Sequence, residues 1–450
     1  MNDEVFELYD SQLFMHALQK AGLAQEITLC GSLLIPQKIS DERLQAAANK
    51  VLEANDVLRS YFIEKDGKTY QTYEPYKEHV FEIRHFDDAE DMESWAKLYA
   101  TIPLEYRVEG KGKGPTLEGI GKPSPRLALN ILRQQRATAR RRKKLGLEGR
   151  EPTCFELILA QLPEASGALI KMSHIISDGW SMVLVGNQFL HALKDEPFKA
   201  YGYQDYIESD KAYKQSERAQ LDRDFFREEW LKHPEPTICF PGELYSFEGT
   251  RNSLDLDAEL SQRIRAYCLD NRVSGMNVFL SAIGICLSRR LGSESFHLGS
   301  LSINRAGTTE KNTVGLFAST LPILMDIAPN ISFKQLVHNM RDKTFSTLRH
   351  ARGYANPTEV YGNYFNFFVS YRNEVLEADT HVQVKEYFSE AFADFAELSI
   401  VEGSNQEKFT MHFDHNCKVS EDEAMGLLGE VASIMRKGIE DDSLLVRDIR

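Results

Sequence analysis

Helical and strand periodicities alternate through both halves of this chain, and that alternation restricts its fold more than any other feature. Residues 10–20 place Leu13, Phe14, Ala17 and Leu18 at helical spacing, 26–35 reads as a strand, and 40–54 returns to helix with Ser40 as its N-cap. Val57 to Ile63 and Thr69 to Thr72 flank Asp66-Gly67, a dipeptide that adopts positive φ readily and so favours a tight hairpin. Two strand-like runs, 155–161 and 168–172, then deliver the chain into SHIISDG before an amphipathic helix over 179–193. After a polar, Tyr-rich linker around 200–213, helical patterns at 222–232, 258–270, 276–290 and 332–350 alternate with strand signals at 297–303, 321–327, 364–371, 396–401 and 409–413. A mixed α/β fold follows.

At 450 residues the chain exceeds the size at which single cores stop growing, so two lobes are expected, 1–190 and 191–450. Residues 109–152 interrupt the first lobe, Gly- and Pro-rich at first and then strongly basic, and read as an insertion. A hydrophobic content of 42% with 27% charged residues is that of ordinary globular proteins. The amino terminus lacks the basic region and apolar run of a secretory signal, and no window approaches eighteen uninterrupted apolar residues, so a cytoplasmic protein is expected. The six cysteines form no CxxC pair and suit reduced core thiols. A formal charge of −14 repels nucleic acid and anionic membrane over most of the surface, which leaves only local contact with anions.

His174 and Asp178 stand four apart with Gly179 next, at the junction of a strand and a helix. HxxxDG alone is weak, since three fixed residue types arise by chance in roughly one chain of this length in twenty. A histidine at a strand end that satisfies a local hydrogen bond is an equal competitor. Chemistry nevertheless gives each residue a reason. An imidazole at an exposed end of rigid structure can take a proton from an attacking amine or hydroxyl. A carboxylate four residues on can pair with an arginine and fix the loop. A following glycine lets a ligand pass close to the backbone.

The wider string MSHIISDGWS resembles the core motif of the condensation domains of nonribosomal peptide synthetases, in the chloramphenicol acetyltransferase-like superfamily. That family usually writes HHxxxDG; Ser173 stands where its first histidine would be, and His174 is the one the resemblance makes catalytic. SQLF at 11–14 resembles the opening motif, NDVLRSYF at 55–62 resembles RHExLRTxF, and YQDY at 203–206 looks like the next landmark. VGLFASTLPI at 314–323 resembles the motif around GxFVNT, with Ser319 in the Asn position and Thr320 retained, and NYFNFFVSYRN at 363–373 is similar to the strand ending in Gln-Asn.

The resemblance implies two chloramphenicol acetyltransferase-like lobes in a V-shaped pseudo-dimer, with a tunnel at their junction admitting two phosphopantetheine arms. It places His174 mid-tunnel, pairs Asp178 with Arg305 of SINRAG, makes Arg59 a structural support of the site loop, and puts Trp180, Ser319, Thr320 and Tyr371 along the tunnel. It implies amide formation between a carrier-bound acyl thioester and an acceptor amine. Substrates would arrive on the phosphopantetheine arms of peptidyl or acyl carrier proteins, with no bound cofactor or metal, and the protein is expected to be a monomer. A stand-alone O- or N-acyltransferase using coenzyme A and a non-catalytic module that recruits carrier proteins are the alternatives; Ser173 favours the latter. Met1 and the lack of adenylation or carrier motifs suggest a stand-alone protein.

Eight basic residues, Arg133, Arg136, Arg140, Arg141, Arg142, Lys143, Lys144 and Arg150, face one acid, Glu148, over 133–150. A solvated helix or loop explains them, and so does a dock for an acidic carrier protein. No aromatic platform accompanies them to suggest nucleic acid. His412, His415 and Cys417 are weak metal candidates, because strand alternation separates His412 from the other two.

Overall fold

The structure is a computed structural model that describes residues 5–110, 125–241, 248–353, 365–373, 381–392, 396–403 and 408–449. The amino-terminal lobe is built on a five-stranded sheet. Its strands β2 (Thr28–Ile35), β5 (Ile83–His85), β7 (Phe155–Gln161), β8 (Ser166–Ser173) and β13 (Gln383–Glu386) take the order β13-β2-β8-β7-β5. Alternate side chains of β7 and β8 serve two cores. Leu157, Leu159, Ala168, Ile170 and Met172 pack beneath α2 (Asp41–Ala54) and α5 (Gly179–Leu193). Ile158, Ala160 and Leu169 face the opposite way, toward α3 (Ala89–Ala100) and α4 (Pro125–Leu145). Burial on both faces explains why these strands read as near-continuous apolar runs.

A small sheet, β1 (Phe6–Glu7), β3 (Ser60–Lys65), β4 (Lys68–Tyr73) and β6 (Val108–Glu109), adjoins this lobe in the order β1-β4-β3-β6. Its hairpin turns at Asp66 (φ 53°) and Gly67 (φ 78°), two consecutive left-handed residues as the dipeptide predicts. Ser40 caps α2 by accepting from the Arg43 N–H.

The second lobe holds a six-stranded sheet. Strands β9 (Gly249–Asp255), β10 (Ser295–Ser302), β11 (Ser319–Asp326), β12 (Phe367–Asn373), β14 (Ala396–Glu402) and β15 (Phe409–Asn416) take the order β11-β10-β12-β14-β15-β9. One face is covered by α8 (Ala258–Asn271), α9 (Gly275–Leu291), α11 (Phe333–Arg349) and α12 (Glu421–Glu440) over a core that includes Phe296, Leu298, Phe367, Val369, Leu398 and Ile400. The short helix α10 (Thr308–Lys311) lies between β10 and β11. The other face of the sheet looks toward the first lobe, because Arg372 and Arg251 reach from it to Glu386 of β13, which pairs with β2. The chain therefore leaves the second lobe to add an edge strand to the first.

Three expectations change. Residues 10–20 do form a helix, α1 (Asp10–Lys20), but Leu13 and Phe14 are 44% and 46% exposed while Gln12 and His16 are buried. Buried partners decide this: Gln12 Nε2 donates to Gln71 Oε1 (2.9 Å) and the Ile175 carbonyl (3.0 Å), and His16 Nδ1 meets the Tyr106 hydroxyl at 2.8 Å. The Tyr-rich linker is instead α6 (Tyr203–Lys214), which buries Tyr203 and Tyr206 and leads into α7 (Glu217–Leu231). The basic half of the supposed insertion is α4, which inserts Thr138 and Leu145 into the lobe; residues 111–124 lie outside the described ones. Among the described residues, no helix is long and apolar enough to cross a membrane.

Candidate active site

Strand β8 ends at Ser173, and the loop that follows is fixed by its own backbone. His174 donates its N–H to the Ile27 carbonyl at 2.7 Å, the Ile176 N–H returns to the Ser173 carbonyl at 3.1 Å, and the Ser177 hydroxyl donates to that carbonyl at 2.9 Å. Gln12, from α1, holds the Ile175 carbonyl. His174 is thus carried on a rigid strand end and remains partly exposed, and its Nδ1 makes no hydrogen bond among the described residues.

Asp178 points the other way. It is the N-cap of α5, where Oδ1 accepts from the Ser181 N–H and hydroxyl, each at 2.8 Å. Its Oδ2 accepts from the backbone N–H groups of Phe317 (3.0 Å) and Ala318 (3.1 Å) in the other lobe. Arg305 Nη2 donates to both oxygens at 2.9 and 3.1 Å, and the two side chains are 0% and 1% exposed. Arg305 also donates to the carbonyls of Glu310 and Thr313, both at 2.5 Å, and its guanidinium lies 3.9 Å from the Phe317 ring centroid. Burial lowers the guanidinium's pKa and Asp178 opposes that fall. Such a pair, desolvated and with both carboxylate oxygens and both terminal guanidinium nitrogens hydrogen-bonded, fixes the loop shape and joins the lobes.

The remaining motif residues divide. Gly179 is exposed, and nothing stands within 4 Å of where a Cβ would project, so the backbone there is open to approach. Trp180 donates its indole N–H to the Lys311 carbonyl at the end of α10 (2.9 Å), a second tie between lobes. Ser319 and Thr320 open β11 directly after the two N–H groups that hold Asp178; Ser319 Oγ has no hydrogen-bond partner among the described residues, and Thr320 Cγ2 lies against Gly299. Tyr371 does not join them. It shares the helix-covered face with Phe367 and Val369, its ring near Phe279 and Phe409 and its hydroxyl 3.1 Å from Glu402 Oε2, because strand alternation turns it away from the junction. Arg59 is likewise elsewhere: it donates to the carbonyls of Leu52, Glu53 (3.1 Å) and Glu74 (3.0 Å) and pairs with Asp56, tying down the end of α2 instead of the site loop.

Ser173 is fully buried, and its hydroxyl has no hydrogen-bond partner among the described residues. It shares a sheet face with Lys171 and Leu169, toward α3, and so points away from the junction. Of the aromatic side chains in NYFNFFVSYRN, Tyr364 lies outside the described residues, Phe367 is core, and Phe365 and Phe368 crowd Gly299 on the junction face. His412 meets Ser253 Oγ at 2.7 Å and His415 meets Asn252 Oδ1 at 2.7 Å, on opposite faces of the sheet. Among the described residues no three His, Cys, Asp or Glu side chains converge to hold a metal.

Sequence reasoning missed Gln12, Ser181 and Gly315. Gln12 lies inside the SQLF motif, and Ser181 sits three residues after an N-cap aspartate, which is a readable signal. Gly315 was legible only as part of VGLFAST: a Cβ there would come within 2.1 Å of Tyr203, whose hydroxyl donates to the Leu316 carbonyl at 2.6 Å.

This chain belongs to the condensation domain family, whose model matches residues 133–423. Surfactin synthase subunit 1 of Bacillus subtilis (strain 168) is 29% identical over 188 residues, covering 40% of this chain and 5% of that protein. Tyrocidine synthase 2 of Brevibacillus parabrevis is 24% identical over 196 residues, or 41% of this chain and 5% of that protein. The matched relatives are thus many times longer than the segment they share. Among solved structures, the condensation domain from the Monacolin K polyketide synthase MokA has a TM-score of 0.77 at 14% identity, covering 98% of this chain and 99% of that one. The starter condensation domain of rhizomide synthetase RzmA in complex with C8-CoA also has a TM-score of 0.77, at 17% identity, covering 99% and 97%. The fold is theirs.

Proposed function

We propose that this chain catalyses amide formation between a carrier-bound acyl thioester and an acceptor amine, with His174 as the residue that receives or orients the amine's proton. The acceptor nitrogen attacks the thioester carbonyl carbon; the C–N bond forms, the C–S bond breaks, and the phosphopantetheine thiol leaves with a proton. The observation that carries this reading is the division of labour in the motif. Asp178 is consumed by Arg305, Ser181 and two backbone N–H groups, while the His174 imidazole, four residues earlier, is partly exposed and has none of those partners. Positioning two tethered substrates supplies most of the rate, and the imidazole adds a factor of about 10² to 10⁴.

His174→Ala is therefore expected to lower amide formation by about 10²-fold or more with an unchanged thermal midpoint, measured by product mass with donor and acceptor both loaded on carriers. Undiminished turnover would remove the assignment. A coenzyme A donor is the second reading, favoured by the likeness to a starter condensation domain in complex with C8-CoA. Offering the same acyl group on coenzyme A and on a carrier, and comparing initial rates, separates the two.

A further inference from the structure

Helix α4 carries positive charge that the described residues do not fully neutralise. Leu129, Leu132, Arg133, Arg136, Arg140 and Lys143 recur at three- and four-residue spacing and are all exposed, with Lys144 beside them. The opposite edge holds the helix in place. Thr138 and Leu145 are buried, Gln134 donates to Gln25 Oε1 at 3.1 Å, and Arg141 and Arg142 lie 3.4 Å from the carbonyls of Thr101 and Pro103. Arg141 also pairs with Glu390 at 3.4 Å, and Arg150 pairs with Glu82 and Glu156. Arg136, Arg140, Lys143 and Lys144 make no ion pair among the described residues.

The stripe also adjoins the candidate active site. Gln25, held by Gln134, donates to the Ser389 carbonyl at 2.5 Å, and Ile27, two residues on, accepts the N–H of His174. Glu390, the partner of Arg141, is the next residue after Ser389. Helix α4 therefore borders the lobe junction where 389–390 runs past the start of β2.

We propose that this face of α4 docks an acidic helix of the carrier domain whose tethered substrate enters the junction beside Ser389 and Glu390; the proposal rests on the condensation reading above. A cationic stripe on a chain of net charge −14 concentrates attraction for an anion at one place. From Leu129 to Lys144 it runs about 22 Å, the length of one four-turn helix. Leu129 and Leu132 at its amino-terminal end offer apolar contact, and the exposed face has no aromatic side chain on which a base could stack. An acidic protein helix fits these features better than nucleic acid.

The test is the triple variant Arg136→Glu, Arg140→Glu and Lys143→Glu, all exposed positions outside the active site. Phosphopantetheinylated carrier domains, fluorescently labelled on the thiol, are titrated against both proteins by anisotropy at 50 and 300 mM salt. Binding to the wild type should weaken with salt, and the variant should bind at least tenfold more weakly while turning over a soluble N-acetylcysteamine thioester at the wild-type rate. Reversing acids on the carrier helix to lysine should restore binding to the variant. Affinities within twofold of each other, no carrier binding to the wild type, or tighter binding of a 20-nucleotide RNA would each overturn the dock. If charge reversal abolishes carrier binding but the wild type forms no amide from any donor, the dock stands and the condensation reading falls.

Discussion

Asp178 and Arg305 show how one ion pair can determine the whole geometry of a motif. Neither side chain touches water, so the pair is tolerable only because every charged oxygen and both terminal guanidinium nitrogens are hydrogen-bonded. Arg305→Met should therefore destabilise the protein by about 3–5 kcal/mol in denaturant titration, since it leaves a buried carboxylate without its cation. Adding Asp178→Asn should recover part of that loss, because the uncompensated charge disappears. Recovery of nothing would show that backbone strain, not charge, dominates. Ser173 gives the converse case. Its buried hydroxyl has no hydrogen-bond partner among the described residues, and Ser173→Ala should leave turnover within about twofold and raise stability by up to ~1 kcal/mol. A large loss of product in that variant would give the hydroxyl a chemical role.

At the level of elements, the GLF of VGLFAST and the first tyrosine of YQDY interlock. A Cβ on Gly315 would sit 2.1 Å from Tyr203 Cδ2, and Tyr203 is fully buried. The Gly315 carbonyl also accepts from Arg305 at 3.1 Å and lies 2.7 Å from Ser181 Oγ. Gly315→Ala should thus cost about 1–3 kcal/mol by overpacking and lower activity as well, and Tyr203→Leu should partly rescue both, read as thermal midpoint and product rate. Elements legible from sequence were those whose own periodicity fixes burial: α2 with its Ser40 cap, β7, and α5 were located to the residue. The orientation of α1 was not legible, because its buried face is polar and defined by Gln71, Ile175 and Tyr106, residues far along the chain. Helix α6 was hidden for the same reason, its tyrosines reading as polar until Phe317 and Leu316 enclose them. The four-residue edge strand β13 has no periodicity to detect, and only β2 makes it a strand. In the site, His174, Asp178 and Arg305 were legible through spacing and resemblance, whereas Arg59 and Tyr371 shared the motifs without sharing the place.

Across the whole molecule, the lobes are joined by polar contacts: Asp178 with Arg305, Trp180 with Lys311, and Glu386 of β13 with Arg372 and Arg251. Partial desolvation would raise the Glu386 carboxyl, whose side chain is 37% exposed, but Arg372 and Arg251 outweigh it and hold it at about 2. Burial pushes the His16 imidazole down to about 4, helped by Lys20, and burial with His233 does the same to His297. His297 stacks on Trp230 with ring centroids 4.4 Å apart, and neither nitrogen has a hydrogen-bond partner among the described residues. Each of these groups binds protons more readily in the unfolded chain than in the folded one, so stability rises with pH wherever they titrate. The histidine contribution is complete above about pH 6.5 and is lost as pH falls toward 4; the Glu386 contribution is complete above about 4.5 and is lost toward 2. The thermal midpoint should accordingly decline in two stages as pH is lowered from 8. His297→Phe keeps the stacking surface and removes one titrating group, and should flatten the first stage while leaving the second. Glu386→Gln should flatten the second and leave the first. A midpoint that stays level from pH 6.5 to 4 in the wild type would mean that these histidines gain partners in solution that offset their burial.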